Sequence, residues 1–166
     1  MIFGRRSIRA YAPGNISEEA LRTILEAGMS APSAVATDPW RFVVLRDQAV
    51  RDRIVENLPY GKMLAQAPLG IVVCGDIDAA HDHQLSYLLQ DCSVAIENML
   101  LAIHGLGLGG CWLGVHPREE RGRHIQKVLG LPANIIPVAA IAIGHPGEVK
   151  EPRTRFNSAF IHYNRW

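Results

Sequence analysis

The sequence has little of what marks a chain early. Its only three cysteines, Cys74, Cys92 and Cys111, are widely spaced with no CxxC. That excludes a disulfide framework or a zinc ribbon and fits a reducing compartment. Neither sign of charge dominates: 17 Lys and Arg stand against 16 Asp and Glu, a formal net charge of +1. A general nucleic-acid binder, whose affinity rests on many phosphate contacts, is thereby excluded. The greasiest stretches, "LGIVVC" and "IIPVAAIAIG", are far below membrane-spanning length, and no apolar run follows Arg5 and Arg6 as it would in a signal peptide. There is no repeat, low-complexity tract or linker. One soluble, cytoplasmic domain over residues 1–166, with no membrane partner, is expected.

Local signals predict alternating helices and strands. Ser17 caps a helix opened by Glu18 and Glu19, Ile16 staples to Leu21, and Leu21, Ile24, Leu25 and Met29 form its buried stripe. The small-residue loop "SAPSAVATDPW" leads into a strand, "RFVVLR". Asp47 caps a second helix with Val50, Ile54 and Leu58 on one face, stopped by Pro59, and "LGIVVCG" reads as a buried strand. From Gln84 to His104 runs a long helix, apolar around most of its circumference and so expected to be enclosed on several sides. "GLGLGG" ends it, "CWLGV" is a strand, Pro117 opens a helix at its first position, Gly130 and Pro132 close it, and "IPVAAIAIG" is the last strand. The tail carries Phe156, Phe160, Tyr163 and Trp166, too much aromatic surface for a monomer to leave in water. The alternation predicts a sheet covered on both faces and is silent on whether its strands are parallel.

Among the motifs, the run Gly105, Gly107, Gly109, Gly110 is no dinucleotide fingerprint, because a helix precedes it and a strand follows, the reverse of the phosphate-binding order. His81 and His83 with Asp78 and Asp82 lack a helical i, i+4 pair and read as a hydrophilic loop, so no metal is expected. The cysteines read as small core residues, and no GxSxG announces a hydrolase. "GRRSIRAY" is different: Arg5, Arg6 and Arg9 with Ser7 offer guanidinium forks and a hydroxyl, the donors that phosphate oxygens take. Arg153 and Arg155, on alternate residues of the tail, would point one way from an extended segment, and two separated clusters can meet on one phosphate.

Four blocks, "RRSIRAY", "APSAVATDPWRF", "GLGLGGCWLGVHPREER" and "RTRF" leading to "IHYNRW", make the whole chain similar to the nitroreductase family of FMN-dependent oxidoreductases. The resemblance implies an α+β three-layer fold, a central mixed or antiparallel sheet flanked by helices, and an intertwined homodimer with FMN at the interface. It implies that Arg5 and Ser7, with Arg6 beside them, hold FMN phosphate, that Arg153 and Arg155 are the later phosphate-binding pair, and that Arg9 approaches the pyrimidine end of the flavin. Pro32, Ser33 and Ala34 match the loop that a second subunit lays against the isoalloxazine, and Leu113, Gly114 and Val115 the segment whose backbone amide bonds flavin N5. Where many members read Asn and Gln in that loop, this chain has Ala36 and Asp38, which removes an amide near the flavin edge and adds a carboxylate.

The implied activity is reduction of electron-poor small molecules, such as nitroaromatics or quinones, by NADH or NADPH in a ping-pong cycle. No side chain is assigned as certainly catalytic, since the cofactor does the chemistry; Arg9, beside flavin N1, is the best candidate for a direct electronic role. The alternatives are another chemistry on the same fold, such as reductive dehalogenation, ene-type reduction or flavin breakdown, and an FMN-binding or storage protein without turnover.

Overall fold

A computed structural model describes residues 1–166. Five strands, β1 (Tyr11–Ala12), β2 (Trp40–Leu45), β3 (Leu69–Asp76), β4 (Gly109–Gly114) and β5 (Ile135–Pro146), form one sheet. Every pairing between them is antiparallel, and β5 is the hub, bonding β1, β3 and β4, while β2 pairs β3. The registers are Trp40 opposite Gly75, Leu69 opposite Ile143 and Gly109 opposite Gly144, with a shift between Val73 and Cys74. The one parallel contact is an isolated bridge from Ser7 to Gly110.

Helices cover both faces. α1 (Glu18–Met29) and α4 (Leu85–Gly105) pack with Leu69, Ile71 and Val73 of β3 into one core. Val72 and Cys74, pointing the other way, join a second core with side chains of α2 (Gln48–Val55), α3 (Lys62–Gln66) and α5 (Glu119–Leu129). Period-two alternation thus splits β3 between two layers of helix, which is why its sequence carries no charge before Asp76 at its end. The result is the α+β three-layer arrangement. No helix is long and apolar enough to cross a membrane.

The caps behave as their residue types dictate. Ser17 accepts from Ala20 N at 3.1 Å and Asp47 from Ala49 N at 2.8 Å, each contributing about 1 kcal/mol. Gly130 ends α5 in the left-handed region at φ 64°.

Several expectations are corrected. Gly28, not Met29, continues the α1 stripe, and Met29 is exposed. α2 stops at Val55, with the unforeseen Arg51 buried beside Ile54, and α3 and β1 carry too little periodicity to be read in advance. Gly109 and Gly110 belong to β4 rather than to the turn before it. Pro117 lies outside α5, which starts two residues later after Arg118 as N-cap. α4 is enclosed on several sides, as its composition predicts, and leaves one exposed stripe at Tyr87, Gln90 and Val94.

Candidate functional site

The arginine-rich segment is fixed to the sheet by its one buried member. Ile8 N donates to Gly110 O at 3.0 Å, and the Ile8 side chain packs so closely on Gly109 that a Cβ there would lie 2.7 Å from Ile8 Cγ2. On either side of this plug the cations stay near solvent. Arg5 Nε pairs with Glu97 Oε1 of α4 at 3.2 Å, and the Arg6 guanidinium donates to Glu151 O.

The segment that leads to Arg153 is tied to the arginine-rich segment. Residues 147–153 run antiparallel to residues 3–10 in a ladder: Gly147 N to Ala10 O at 2.9 Å, Lys150 Nζ to Ser7 O at 2.7 Å, Arg153 N to Phe3 O at 3.4 Å. Glu148 is the central rivet, its Oε1 accepting from Arg9 N at 2.6 Å, Ala10 N at 3.3 Å and Lys150 Nζ at 2.9 Å. The Arg9 N–H bond, then the Lys150 bond, hold the Glu148 carboxyl below the usual carboxylate range. The guanidiniums of Arg9, Arg153 and Arg155 have no hydrogen bond or ion pair within the chain.

Beside this ladder lies a cleft of about 250 Å³. Arg9, Leu113 and Gly114, three of the residues that the resemblance assigns to the flavin, line it, with Leu58, Tyr60, Gly61, Cys111, Trp112 and Arg121. Gly114 is exposed, and nothing stands within 4 Å of where its Cβ would be, so the strand offers bare backbone there. Arg121 donates to Gly114 O at 3.0 Å, bringing a second cation to the cleft. Val115 lies beneath, fully buried, its N–H given to Val138 O at 3.3 Å. Burial pushes the Cys111 thiol up and those of Cys74 and Cys92 to about 12, so all three are neutral at pH 7. A neighbouring cavity of about 260 Å³ takes Arg5, Arg6, His104 and Lys150, with Glu148 its sole acid.

The loop of Pro32, Ser33, Ala34 and Ala36 does not line the cleft of its own chain. Its backbone is left-handed at Val35 (φ 49°), Ala36 (φ 55°) and Asp38 (φ 50°). The Asp38 carboxylate folds back: Ser33 Oγ donates to Asp38 Oδ1 at 2.6 Å and accepts from Asp38 N at 3.0 Å. Ala34 N donates to Asp91 Oδ1 of α4 at 3.0 Å.

Tyr60, Arg121, Glu148, Lys150 and Asp91 escaped sequence reasoning. Tyr60, between Pro59 and Gly61, is an aromatic on a turn and was a usable signal. The others act through contacts across 57 or more positions, or from ordinary helix positions, and leave no local mark.

The family model "Nitroreductase family" matches residues 2–58 and 56–145. A protein of Archaeoglobus fulgidus named "Putative NADH dehydrogenase/NAD(P)H nitroreductase" is 43% identical, over 100% of this chain and 97% of its own. A solved structure of the same name from Bacteroides thetaiotaomicron superposes with a TM-score of 0.94 at 40% identity, covering 99% of this chain and 95% of that one. An "FMN-dependent Nitroreductase" from Clostridium difficile gives 0.91 at 29% identity, with 100% of both chains covered. With the antiparallel three-layer fold, the arginine ladder and the cleft already in place, these matches establish that the chain belongs to the nitroreductase family.

Proposed function

We propose that this chain is an FMN-dependent NAD(P)H oxidoreductase that reduces electron-poor small molecules, nitroaromatics and quinones among them. The observation that carries the reading is the ladder between residues 3–10 and 147–153, which sets Arg5, Arg6 and Arg9, and the backbone of Arg153, beside a cleft that Gly114 lines. The residues fit an anionic, planar cofactor: three guanidiniums lack an acceptor within the chain, and bare backbone faces the cleft. Bound there, FMN would supply two-electron redox chemistry between NADH or NADPH and the acceptor.

The chain's own residues bind and orient. Arg5, Arg6, Ser7, Arg153 and Arg155 hold the phosphate, in a place where guanidinium forks match its oxygens. Arg9 sets a fixed positive charge at the pyrimidine end, where negative charge accumulates on reduction. Leu113 and Gly114, supported by buried Val115, bring backbone to the ring, while Trp112 and Tyr60 wall the space that donor and acceptor occupy in turn. With a single cleft for both, turnover is ping-pong.

The working unit is a homodimer with FMN at the interface. Pro32, Ser33, Ala34 and Ala36, turned away from their own cleft, serve the flavin of the second subunit. Supporting this, Phe156, Phe160, Tyr163 and Trp166 are 78–98% exposed, and Met1, Ile2 and Phe3 lie open beside the tail's first contacts. Such a surface is buried by a partner rather than left in water.

The test is anaerobic mixing of the FMN-loaded protein with NADH and with NADPH, followed by a panel of acceptors. Bleaching of the flavin by at least one nucleotide, its return on adding an acceptor, and parallel double-reciprocal lines are expected. A protein that takes up no FMN refutes the cofactor; bound FMN that neither nucleotide bleaches refutes the oxidoreductase and leaves a binding protein.

A further inference from the structure

Asp91 is the one acid among the buried residues, 5% exposed on α4, and the scheme above leaves it unused. Its Oδ1 accepts the Ala34 N–H at 3.0 Å, while Oδ2 is buried with no hydrogen-bond partner. A carboxylate kept from water with half its acceptors idle is costly, and an apolar side chain would fill the space without that cost. Packing therefore does not account for an aspartate here. Its single bond does.

What the bond fastens is a stretch of backbone that would not hold its shape alone. Val35, Ala36 and Asp38 all take φ between 49° and 55°, the left-handed region that L-residues avoid. Val35 is β-branched, the type least suited to it, and is 73% exposed, so no packing of its side chain compels the conformation. The loop is instead held at three points, by the reciprocal Ser33–Asp38 pair at its throat, by Arg41 of β2, whose Nη1 donates to Asp38 O at 3.1 Å, and by Asp91 at Ala34. Asp91 is the side chain that ties the Ala34 end, ahead of the left-handed residues, to the body of the protein.

We infer that Asp91 is a positioning residue for the cofactor: by holding the Ala34 N–H it keeps the 32–36 loop in the left-handed turn that presents it to the flavin of a second subunit. The inference rests on the FMN-dependent reading above. Asp91 touches neither cofactor nor substrate and acts only through the loop backbone.

The test measures FMN affinity of the apoprotein by quenching of flavin fluorescence, beside far-UV circular dichroism and light scattering. Asp91→Ala is expected to keep fold and oligomeric state but bind FMN about tenfold more weakly, the scale of one charge-assisted hydrogen bond. Asp91→Asn, whose amide oxygen still accepts from Ala34, should stay within about threefold of the parent. Val35→Gly removes the penalty on positive φ, so Asp91→Ala/Val35→Gly should recover a measurable part of the loss, together with the visible dichroism of the bound flavin. If Asp91→Ala does not fold, Asp91→Leu, which fills the site with apolar atoms, carries the same expectation. Parental affinity in the Ala or Leu variant overturns the inference, and so does a double variant no better than its single parent, since the loss would then be general loosening. A parent protein that binds no FMN fails the functional reading instead, so the two outcomes are distinct.

Discussion

Neutralising Glu148 while keeping its shape, as Glu148→Gln, probes the ladder that brings the two ends of the chain together. The carboxylate accepts from two backbone amides and one ammonium, at 2.6, 3.3 and 2.9 Å. Charge-assisted bonds contribute about 1.5–3 kcal/mol each when fully buried, but a side chain 29% exposed lets water replace much of that. The 3.3 Å bond is also long, and glutamine still accepts from Arg9 N, so the charge itself is assigned a loss of about 1–2 kcal/mol. With a urea slope of about 2 kcal/mol/M, the unfolding midpoint should fall by about 0.5–1 M at pH 7 and fixed protein concentration.

The pH dependence gives a second handle on the same group. Because Glu148 is held below its ordinary value of 4.5, its contribution is complete above that value and is lost as pH falls through the lowered folded one. The gap between parent and variant should therefore be full at neutral pH, begin to narrow below 4.5, and close at the lowest pH where both stay folded. Equal midpoints at pH 7, or a gap that ignores acid, would refute the assignment of Glu148 as the rivet.

Three further outcomes are expected. Arg9→Met keeps the stem but removes the charge, and should slow anaerobic flavin reduction by NAD(P)H about tenfold while weakening FMN binding less, read by stopped flow and by titration. Gly109→Ala sets a methyl 2.7 Å from Ile8 Cγ2 and 2.8 Å from Ile8 Cβ, so the backbone of the arginine segment must shift. It should cost about 1–3 kcal/mol in thermal unfolding and weaken FMN as well. Ending the chain after Arg155 removes Phe156, Phe160, Tyr163 and Trp166, and light scattering should then find monomer where the full chain gives the proposed dimer.

How much of this was legible in the sequence depends on the range of the contact concerned. Ser17, Asp47 and Gly130 announce helix ends because their side chains, or the lack of one, act within a few residues. β3 was legible because burial on both faces leaves only apolar residues. The sense of the sheet was not, since antiparallel pairing of β5 with β3 joins residues 59 to 74 positions apart, from Asp76 with Ile135 to Leu69 with Ile143, and follows from chain path, not composition. The two basic clusters were visible as residue types, while the residues that fasten them, Glu148 and Lys150, look like ordinary surface charges until the ladder forms. Asp38 reads as an acid added to a flavin loop, and only the structure turns its carboxylate back onto Ser33.

The place of β5 in the chain sets the order in which the protein can be made. It pairs with β1, β3 and β4, and every one of those partners is synthesised before it. Until residues 135–146 leave the ribosome, the sheet has only the β2–β3 pairing, and β3 and β4 lack the strand that joins them. Tyr11 must then wait for Pro146, one of the longest loops such a chain can be asked to shut. Assembly is therefore governed by distant pairing, which slows folding and leaves nascent hydrophobic strands open to chaperones or to one another. A chain cut short before β5 is not a slightly shortened protein but one whose sheet is left in pieces, with β1 and β4 lacking the strand they pair with.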